Sequence, residues 1–416
     1  MSPVEGAEED AYTDVGVECI LDMFREHSKV KLMLQEIPSV IEKAEVAAAS
    51  QVLDAADSLQ FAAEKAFEDL KKILDHYQEQ PHLLDPHLEE FLGYLVTLVR
   101  EVGVKSSSVW YRNTRAPKKA VATQAFKYIY LLIKVRGYKI VVNKLPHEVG
   151  DLLPVLEMLE QPYDESDDFY KSYVLLLWLS IVVYMPFNIA DFDATTGAAT
   201  TQPSEMEQEK LTMVNRLLVV IKQHLRSAQG SRDMAAFLAS RLVTRPDLRD
   251  HQLPSFMEHC LQVLSTPSTQ HRSTFHHLGC LRALGLVWKH GRRDELLPLS
   301  VPLLQRLQQQ QHTTSPDCLI RKLAIKLVQR IGLTFLAPRL ASWRYRRGNR
   351  SLVINMSKPQ QQQLNDHDKR DQDEEEQKQE EEDVEVVPEI EDIIDQLLKG
   401  LKDTDTVVRW SSSKGV

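Results

Sequence analysis

One group of metal-ligating side chains is dense enough in the sequence to be considered as a chemical site: His271, His276, His277 and Cys280. On a helix, His276 and Cys280 lie four residues apart and therefore share one face. Zinc takes three or four protein ligands, and this face offers neither a carboxylate nor a further cysteine in register. We therefore interpret these residues as ordinary helix-surface histidines and expect no metal site.

Other catalytic chemistry has equally little support. Adjacent carboxylates such as Asp294 and Glu295, or Asp167 and Asp168, are typical of helix starts rather than of acid/base pairs. The sequence contains no G-x-x-x-x-G-K-[ST], G-x-G-x-x-G, G-x-S-x-G, H-E-x-x-H or Cys-x-x-Cys pattern. Phosphate-binding loops, hydrolase nucleophiles and zinc signatures are therefore not indicated, and we expect neither an enzyme nor a bound cofactor.

A basic aromatic segment is the clearest candidate for binding a partner. Guanidinium groups interleaved with aromatic rings bind carboxylate-rich tails, phosphates or stacked bases. The alternative is a solvated face, or one neutralised by the neighbouring Gln-rich and acidic stretch Lys358–Val387. Both interpretations stay open, and we expect no nucleic-acid partner. The segment comprises Arg339, Trp343, Arg344, Tyr345, Arg346, Arg347 and Arg350.

Two acid and base pairs share the spacing D-x-x-x-R, namely Asp317 with Arg321 and Asp405 with Arg409. The spacing places an acid at a helix start and a base about one turn later. In stacked helical repeats such residues can pair along the inside of the array. The alternative is a capping aspartate beside an unrelated surface arginine.

The elements that must position these residues are helices. Glycine contributes only 15 of 416 residues, and no Asn-Gly, Asp-Gly or Gly-Gly pair is present to form a two-residue hairpin. The last stretch shows the periodicity most clearly, with apolar residues three and four apart on one helical face. These are Ile390, Ile393, Ile394, Leu397, Leu398 and Leu401, and a turn and a second apolar and basic helix follow them.

Helix pairs of about forty residues recur along the chain, which predicts an all-α, HEAT/armadillo-like solenoid. We expect a disordered N-terminus at 1–10, the solenoid at 11–350 with loops at 103–119 and 191–204, a disordered linker at 351–388 and an incomplete repeat at 389–416. The first two helices are predicted at Tyr12–Gln35 and Val40–Gln80, and Gly137 is predicted to cap a helix.

The net charge and the cysteine content exclude few classes of protein. The net charge is -10, yet Asp366–Asp383 alone contributes eleven acidic and three basic residues. Four cysteines, Cys19, Cys260, Cys280 and Cys318, show no paired spacing, which is typical of reduced thiols in the cytosol. The uncharged run Tyr173–Met185 is shorter than the roughly 20 residues that a bilayer span needs, so we expect a buried helix.

The pattern L-L-x-x-L-x-D-x-D-x-x-V-R at Leu397–Arg409 resembles the HEAT repeat. Longer strings resemble the tubulin-folding cofactor D (tubulin-specific chaperone D) family, in the order of that family and from about residue 70 onward. These strings are Tyr77–His87, Lys134–Tyr138, Pro146–Val149, Leu175–Ser180, Arg321–Phe335, Trp343–Arg346 and Asp405–Trp410.

The resemblance implies a non-enzymatic chaperone of HEAT-like helices that captures β-tubulin and assembles the αβ-heterodimer with cofactors C and E. It also implies stimulation of GTP hydrolysis by tubulin, an ADP-ribosylation-factor-like small GTPase as partner, and a cytoplasmic, cytoskeleton-associated location such as a centrosome or cell junction. A general HEAT adaptor without tubulin specificity is the alternative. Family members are considerably longer than 416 residues, so we expect an N-terminal portion or a shortened isoform.

Overall fold

The computed structural model describes residues 22–49, 53–103, 116–161, 168–191, 212–266, 271–336 and 387–416. Every regular element in these ranges is a helix, which confirms the predicted all-α class. The α-helices are α1 (His27–Ala49), α2 (Leu53–Asp75), α3 (Asp85–Gly103), α4 (Ala116–Arg136), α5 (Tyr138–Val141), α6 (Leu152–Glu160), α7 (Asp168–Val182), α8 (Met213–His224), α9 (Ser231–Val243), α10 (Arg249–Ser265), α11 (His271–His290), α12 (Arg293–Gln309), α13 (Cys318–Phe335), α14 (Pro388–Gly400) and α15 (Thr406–Ser413).

The chain divides into two compact units, Met1–Trp178 and Leu179–Val416. In the first unit, α1 packs against α2 and α3 packs against α4, while α4 also contacts both α1 and α2. Short 3₁₀ helices at Pro81–Leu84 and Val149–Asp151 precede α3 and α6. The core consists mainly of aliphatic and aromatic side chains at helical spacing, among them Leu88, Leu92, Leu95, Phe126 and Ile129.

Two arginine and aspartate pairs fix helix ends in the first unit. Arg136, at the end of α4, donates to both carboxylate oxygens of Asp85 at the start of α3, over 2.5 and 2.7 Å. Arg100 binds Asp151 in the same bidentate way, over 3.1 and 2.7 Å, and Asp151 is buried. Planar two-point pairs of this kind set the angle between helices as well as their distance.

The structure corrects several predicted boundaries in the first unit. The break expected around Pro38 does not occur, because α1 continues through Pro38 with Ile37 and Ile41 buried on either side of it. The second helix ends at Asp75 rather than residue 80, and the predicted loop 103–119 is helical from Ala116 onward. A proline removes only one backbone donor, and buried neighbours on both sides can offset that loss.

Other predictions agree with the described structure. Gly137 follows α4 with a φ of 89°, and its amide donates to the carbonyl of Ile133, so it ends the helix in a conformation that favours glycine. The apolar run in α7 is buried, with Trp178 fully enclosed. Within the described ranges, no helix combines the length and apolar character needed to cross a bilayer.

The second unit is a series of helix pairs: α8 with α9, α10 with α11, α12 with α13, and α14 with α15. The second helix of each pair packs against the second helix of the next, in the order α9, α11, α13 and α15. This regular layer is the packing expected of helical repeats, in which each pair buries its apolar face only against its neighbours. The ends of these second helices carry the candidate site.

In the last pair, the predicted apolar face of α14 is only partly buried. Ile393 and Leu397 are enclosed against α13, whereas Ile394 and Leu398 are 44% and 45% exposed. The close approach depends on Gly400, because a Cβ there would lie 2.2 Å from Ser412 Oγ and 2.8 Å from Ile325 Cδ1. A small residue at this position therefore lets α14 and α15 reach α13 together.

Candidate functional site

The basic aromatic segment predicted from the sequence lies outside the described residues. This holds for Arg339, Trp343, Arg344, Tyr345, Arg346, Arg347 and Arg350, and equally for the predicted N-terminal segment 1–10 and most of the linker 351–388. The acidic turn containing Asp167 lies outside them too. The binding role of that segment stays a prediction.

The four residues of the D-x-x-x-R pairs are all described. Asp317 and Asp405 cap helices α13 and α15, since each carboxylate accepts from the amide two residues later at 2.8 Å. Arg321 does not pair with either of them. It donates from Nε and Nη2 to Asp403 at 2.8 and 2.9 Å, and from Nη1 to the carbonyls of Ser315 and Pro316.

Arg409 repeats one half of this geometry. Its Nη1 donates to the carbonyls of Asp403 and Thr404, both at 2.8 Å, which lie six and five residues earlier as they do for Arg321. The arginine of each pair therefore closes the turn that precedes its own helix. Arg321 additionally ties its turn to the next helix pair through Asp403.

A basic surface stands out at the carboxyl ends of the second helices. It consists of two adjoining clefts of about 890 and 430 Å³, which share Lys289 and Gly291. Nine cationic side chains line the two clefts, against only two carboxylates, Asp247 and Glu295. The cations are Arg241, Arg245, Arg249, Lys289, Arg292, Arg293, Lys326, Arg330 and Lys414.

In the larger cleft, several cations are held by the protein itself. Buried Arg245 binds the Asp247 carboxylate and donates to the carbonyls of Met185 and Phe187 at 2.9 and 2.6 Å. Arg241 lies over the ring of Tyr184, 5.1 Å from its centroid, and that ring is 71% exposed. The result is a rigid basic wall with an aromatic face open to solvent, which suits an incoming peptide.

The described residues that line the smaller cleft include five cations and no carboxylate. Lys289, Arg293, Lys326, Arg330 and Lys414 come from α11, α12, α13 and the end of α15. Burial, and then the charges of Arg330, Arg282, Lys322 and Lys289, lower the pKa of Lys326 to about 8. Crowded like charges are destabilising by themselves, so they indicate a surface that binds anions.

Sequence reasoning missed this surface because its residues are distributed over four helix pairs. A signal was present nonetheless. Arg241, Lys289, Arg330 and Lys414 stand near the carboxyl ends of α9, α11, α13 and α15, so one basic residue recurs per second helix. Stacking the second helices turns this recurrence into one continuous surface.

The interpretation of the His/Cys group as helix-surface histidines is wrong for His277, which is buried between α11 and α10. Cys260 of α10 is buried against Cys280 of α11, and hydrogen bonds with Cys260 and His276 lower the pKa of the Cys280 thiol. His277 is buried and its Nε2 lies 2.9 Å from the carbonyl of Val263. Cys260, Cys280 and Cys318 are free thiols. Cys260, Cys280 and His277 pack the interface between α10 and α11.

Comparison with known proteins agrees with the predicted family. A family model described as tubulin-specific chaperone D-like, ARM repeat, matches residues 74–264, and a second, tubulin-specific chaperone D-like, ARM repeats, matches residues 319–416. No solved structure matches the chain.

Two curated relatives carry related names. The chain is 27% identical to tubulin-specific chaperone D of Dictyostelium discoideum over 83% of this chain and 29% of that protein. It is 25% identical to tubulin-folding cofactor D of Schizosaccharomyces pombe over 92% of this chain and 30% of that protein. The chain thus spans roughly three tenths of the length of these relatives. The two family models together cover more than half of the chain, which therefore belongs to the tubulin-specific chaperone D-like family of ARM-repeat proteins.

Proposed function

We propose that this chain is a tubulin-folding chaperone module that captures β-tubulin and supports assembly of the αβ-tubulin heterodimer. The observation that carries the proposal is the match of two family models for tubulin-specific chaperone D-like repeats to separate parts of the chain. In this proposal the module acts with tubulin-folding cofactors C and E and with an ADP-ribosylation-factor-like small GTPase. It works in the cytoplasm, in association with the cytoskeleton, at a centrosome or cell junction.

The physical character of the chain supports a binding role of this kind. Stacked helix pairs offer extended surfaces for a large client rather than a deep reaction pocket. The sequence contains no phosphate-binding glycine loop, so we assign GTP hydrolysis in the assembled complex to tubulin. The basic surface around Lys289 and Lys326 then contacts acidic segments of the client.

A matched pair of variants tests the proposal. Purified chain and β-tubulin are combined, and complex formation is measured by size-exclusion chromatography and by titration at two salt concentrations. Lys289→Glu with Lys326→Glu should weaken the complex and reduce its salt dependence, because two cations of the basic surface are reversed. Lys399→Glu is the control, since Lys399 is 75% exposed on α14 outside both clefts.

The alternative function is a general HEAT-repeat adaptor without tubulin specificity. The two functions differ in which proteins should compete with β-tubulin for the basic surface. A tubulin chaperone should prefer β-tubulin over an unrelated acidic protein of similar charge, whereas a general adaptor should bind both to a similar extent. Absence of any complex with β-tubulin at micromolar concentrations would count against the proposed function of this chain.

A further inference from the structure

Two imidazoles and a carboxylate meet where α1 begins against α3. His27 is the first residue of α1, and His87 and Glu90 lie three residues apart on the first turns of α3. One ligand atom from each, an imidazole nitrogen or a carboxylate oxygen, lies within 4.8 Å of the other two. Among the residues that the structure describes, this is the one His, Cys, Asp and Glu group that meets this distance criterion.

Aromatic rings pack around the two imidazoles of the group. The imidazoles of His27 and His87 stack with their centroids 4.2 Å apart and their planes 25° from parallel. Phe24, which is buried, and Phe91 flank the ring of His87 with centroids 6.0 and 6.1 Å away. Both imidazoles are half-buried and Glu90 is exposed, so an ion from solvent can reach all three ligands.

A positive charge already occupies one side of the group. Lys31 Nζ lies 2.5 Å from Glu90 Oε1, and both side chains are 46% exposed. An exposed ion pair of this kind contributes little to stability, and a flexible lysine leaves it readily. The carboxylate is therefore available to a stronger cation that the two imidazoles can bind at the same time.

We propose that His27, His87 and Glu90 form a zinc-binding site that joins the start of α1 to α3. Two histidines and a glutamate, with the remaining position left to water, are a ligand set that Zn²⁺ takes in proteins. Zinc to nitrogen and oxygen distances of about 2.0 to 2.2 Å place tetrahedral ligands about 3.3 Å apart. Small side-chain rotations bring atoms that lie within 4.8 Å of one another to that separation.

The site would link the start of α1 to α3, two helices that the Lys31 and Glu90 ion pair already joins. Tyr77 accepts from the amide of Arg25 at 3.2 Å, and Phe24 packs on Tyr77 with centroids 4.8 Å apart. Bound zinc would add a crosslink from His27 to the same region. It would therefore stabilise the first unit by an amount that rises with the logarithm of the zinc concentration once that concentration exceeds the Kd.

The test is a titration of chelator-treated chain with Zn²⁺, measured by calorimetry and by the thermal unfolding midpoint, with Co²⁺ absorption as a spectroscopic check of the ligands. Wild type should bind one zinc that is lost in Glu90→Gln and in His87→Gln. Each loss should exceed about a hundredfold in affinity, because even residues that only support metal ligands contribute 10- to 100-fold. His251→Ala, which removes an exposed histidine elsewhere, is the control and should leave this zinc bound.

Lys31→Met gives a prediction in the opposite direction. It removes the cation that competes for Glu90, so zinc affinity at this site should rise. Adventitious binding to other histidines or thiols predicts no rise in Lys31→Met and no loss in Glu90→Gln. Glu90 is exposed, so its replacement should leave the fold intact, and circular dichroism of the variant checks this. Unchanged zinc affinity in both variants, or no zinc bound by wild type at 100-fold molar excess, would overturn the proposal.

Discussion

Asp403→Asn is expected to release the last helix pair, α14 with α15, from α13. Asp403 accepts two hydrogen bonds from the guanidinium of Arg321 at 2.8 and 2.9 Å, and both side chains are 13% exposed. Asparagine keeps one acceptor oxygen but loses the charge, and its amide group faces the donors of Arg321. One strong hydrogen bond is therefore lost and a largely buried guanidinium loses its counter-charge.

The magnitude follows from the exposure of the pair. Exposed pairs contribute about 0 to 1 kcal/mol, and removing one partner of a fully buried pair costs about 3 to 5 kcal/mol. At 13% exposure the pair lies between these limits, and a charged hydrogen bond contributes about 1.5 to 3 kcal/mol. We expect a loss of about 2 to 3 kcal/mol, which corresponds to about a 30- to 150-fold change in an opening equilibrium.

Hydrogen exchange of the α14 and α15 amides measures this opening directly. The control is Lys399→Met, which breaks the exposed Lys399 and Asp395 pair on α14 and should cost at most about 0.5 kcal/mol. A double-mutant cycle with Arg321→Met should show that the losses are strongly non-additive. If Asp403→Asn costs no more than Lys399→Met, the tie through Asp403 does not hold the helix pair.

Four further outcomes are expected. Hydrogen bonds from Arg321 lower the pKa of Asp403. The ionised carboxylate therefore stabilises the fold above the unfolded pKa of about 3.9, and this stabilisation is lost as the pH falls through the folded pKa. Exchange protection in α14 and α15 should fall in acid in wild type but not in Asp403→Asn. Burial, and then the charge of His277, lower the pKa of His312 to about 4. The free energy of unfolding should therefore decline as the pH drops from about 6.5 towards 4. Urea titrations of His312→Gln should show a shallower decline. Gly400→Ala should destabilise by about 1 to 3 kcal/mol in urea unfolding because its Cβ meets Ser412 and Ile325, whereas Gly93→Ala, with open space around it in α3, should stabilise by about 0.5 to 1 kcal/mol. Lys326→Met should raise the thermal midpoint while weakening β-tubulin binding; a lowered midpoint would mean that the cation is there for stability.

Local features of the fold were accessible from the sequence because they depend on neighbours in the chain. The caps at Asp317 and Asp405, the helix end at Gly137 and the helix Ser231–Val243 all follow from side chains within a few residues of the backbone groups they satisfy. Pro38 was misjudged for the opposite reason. Its effect on α1 is outweighed by the burial of Ile37 and Ile41, which depends on packing.

The partners of charged residues could not be predicted from spacing. For Arg321 the D-x-x-x-R pattern left open both a pairing inside the stacked array and an unrelated surface arginine, and its carboxylate is Asp403, 82 residues later. The choice depends on where the turn before α15 lies once α14 and α15 pack on α13. Asp405 caps α15 through the amide of Val407, and Asp403 of the same turn accepts from Arg321.

The sequence by itself determined the helical class, the pairing of helices in units of about forty residues, and the family, since these follow from periodicity, composition and long matching strings. Only the tertiary structure decided the sites. The basic surface exists because the second helices stack and bring Lys289, Lys326 and Lys414 together, and the group of His27, His87 and Glu90 exists because α1 begins against α3. Electrostatic and metal-binding properties depend on distances through space, and a linear sequence does not record those distances.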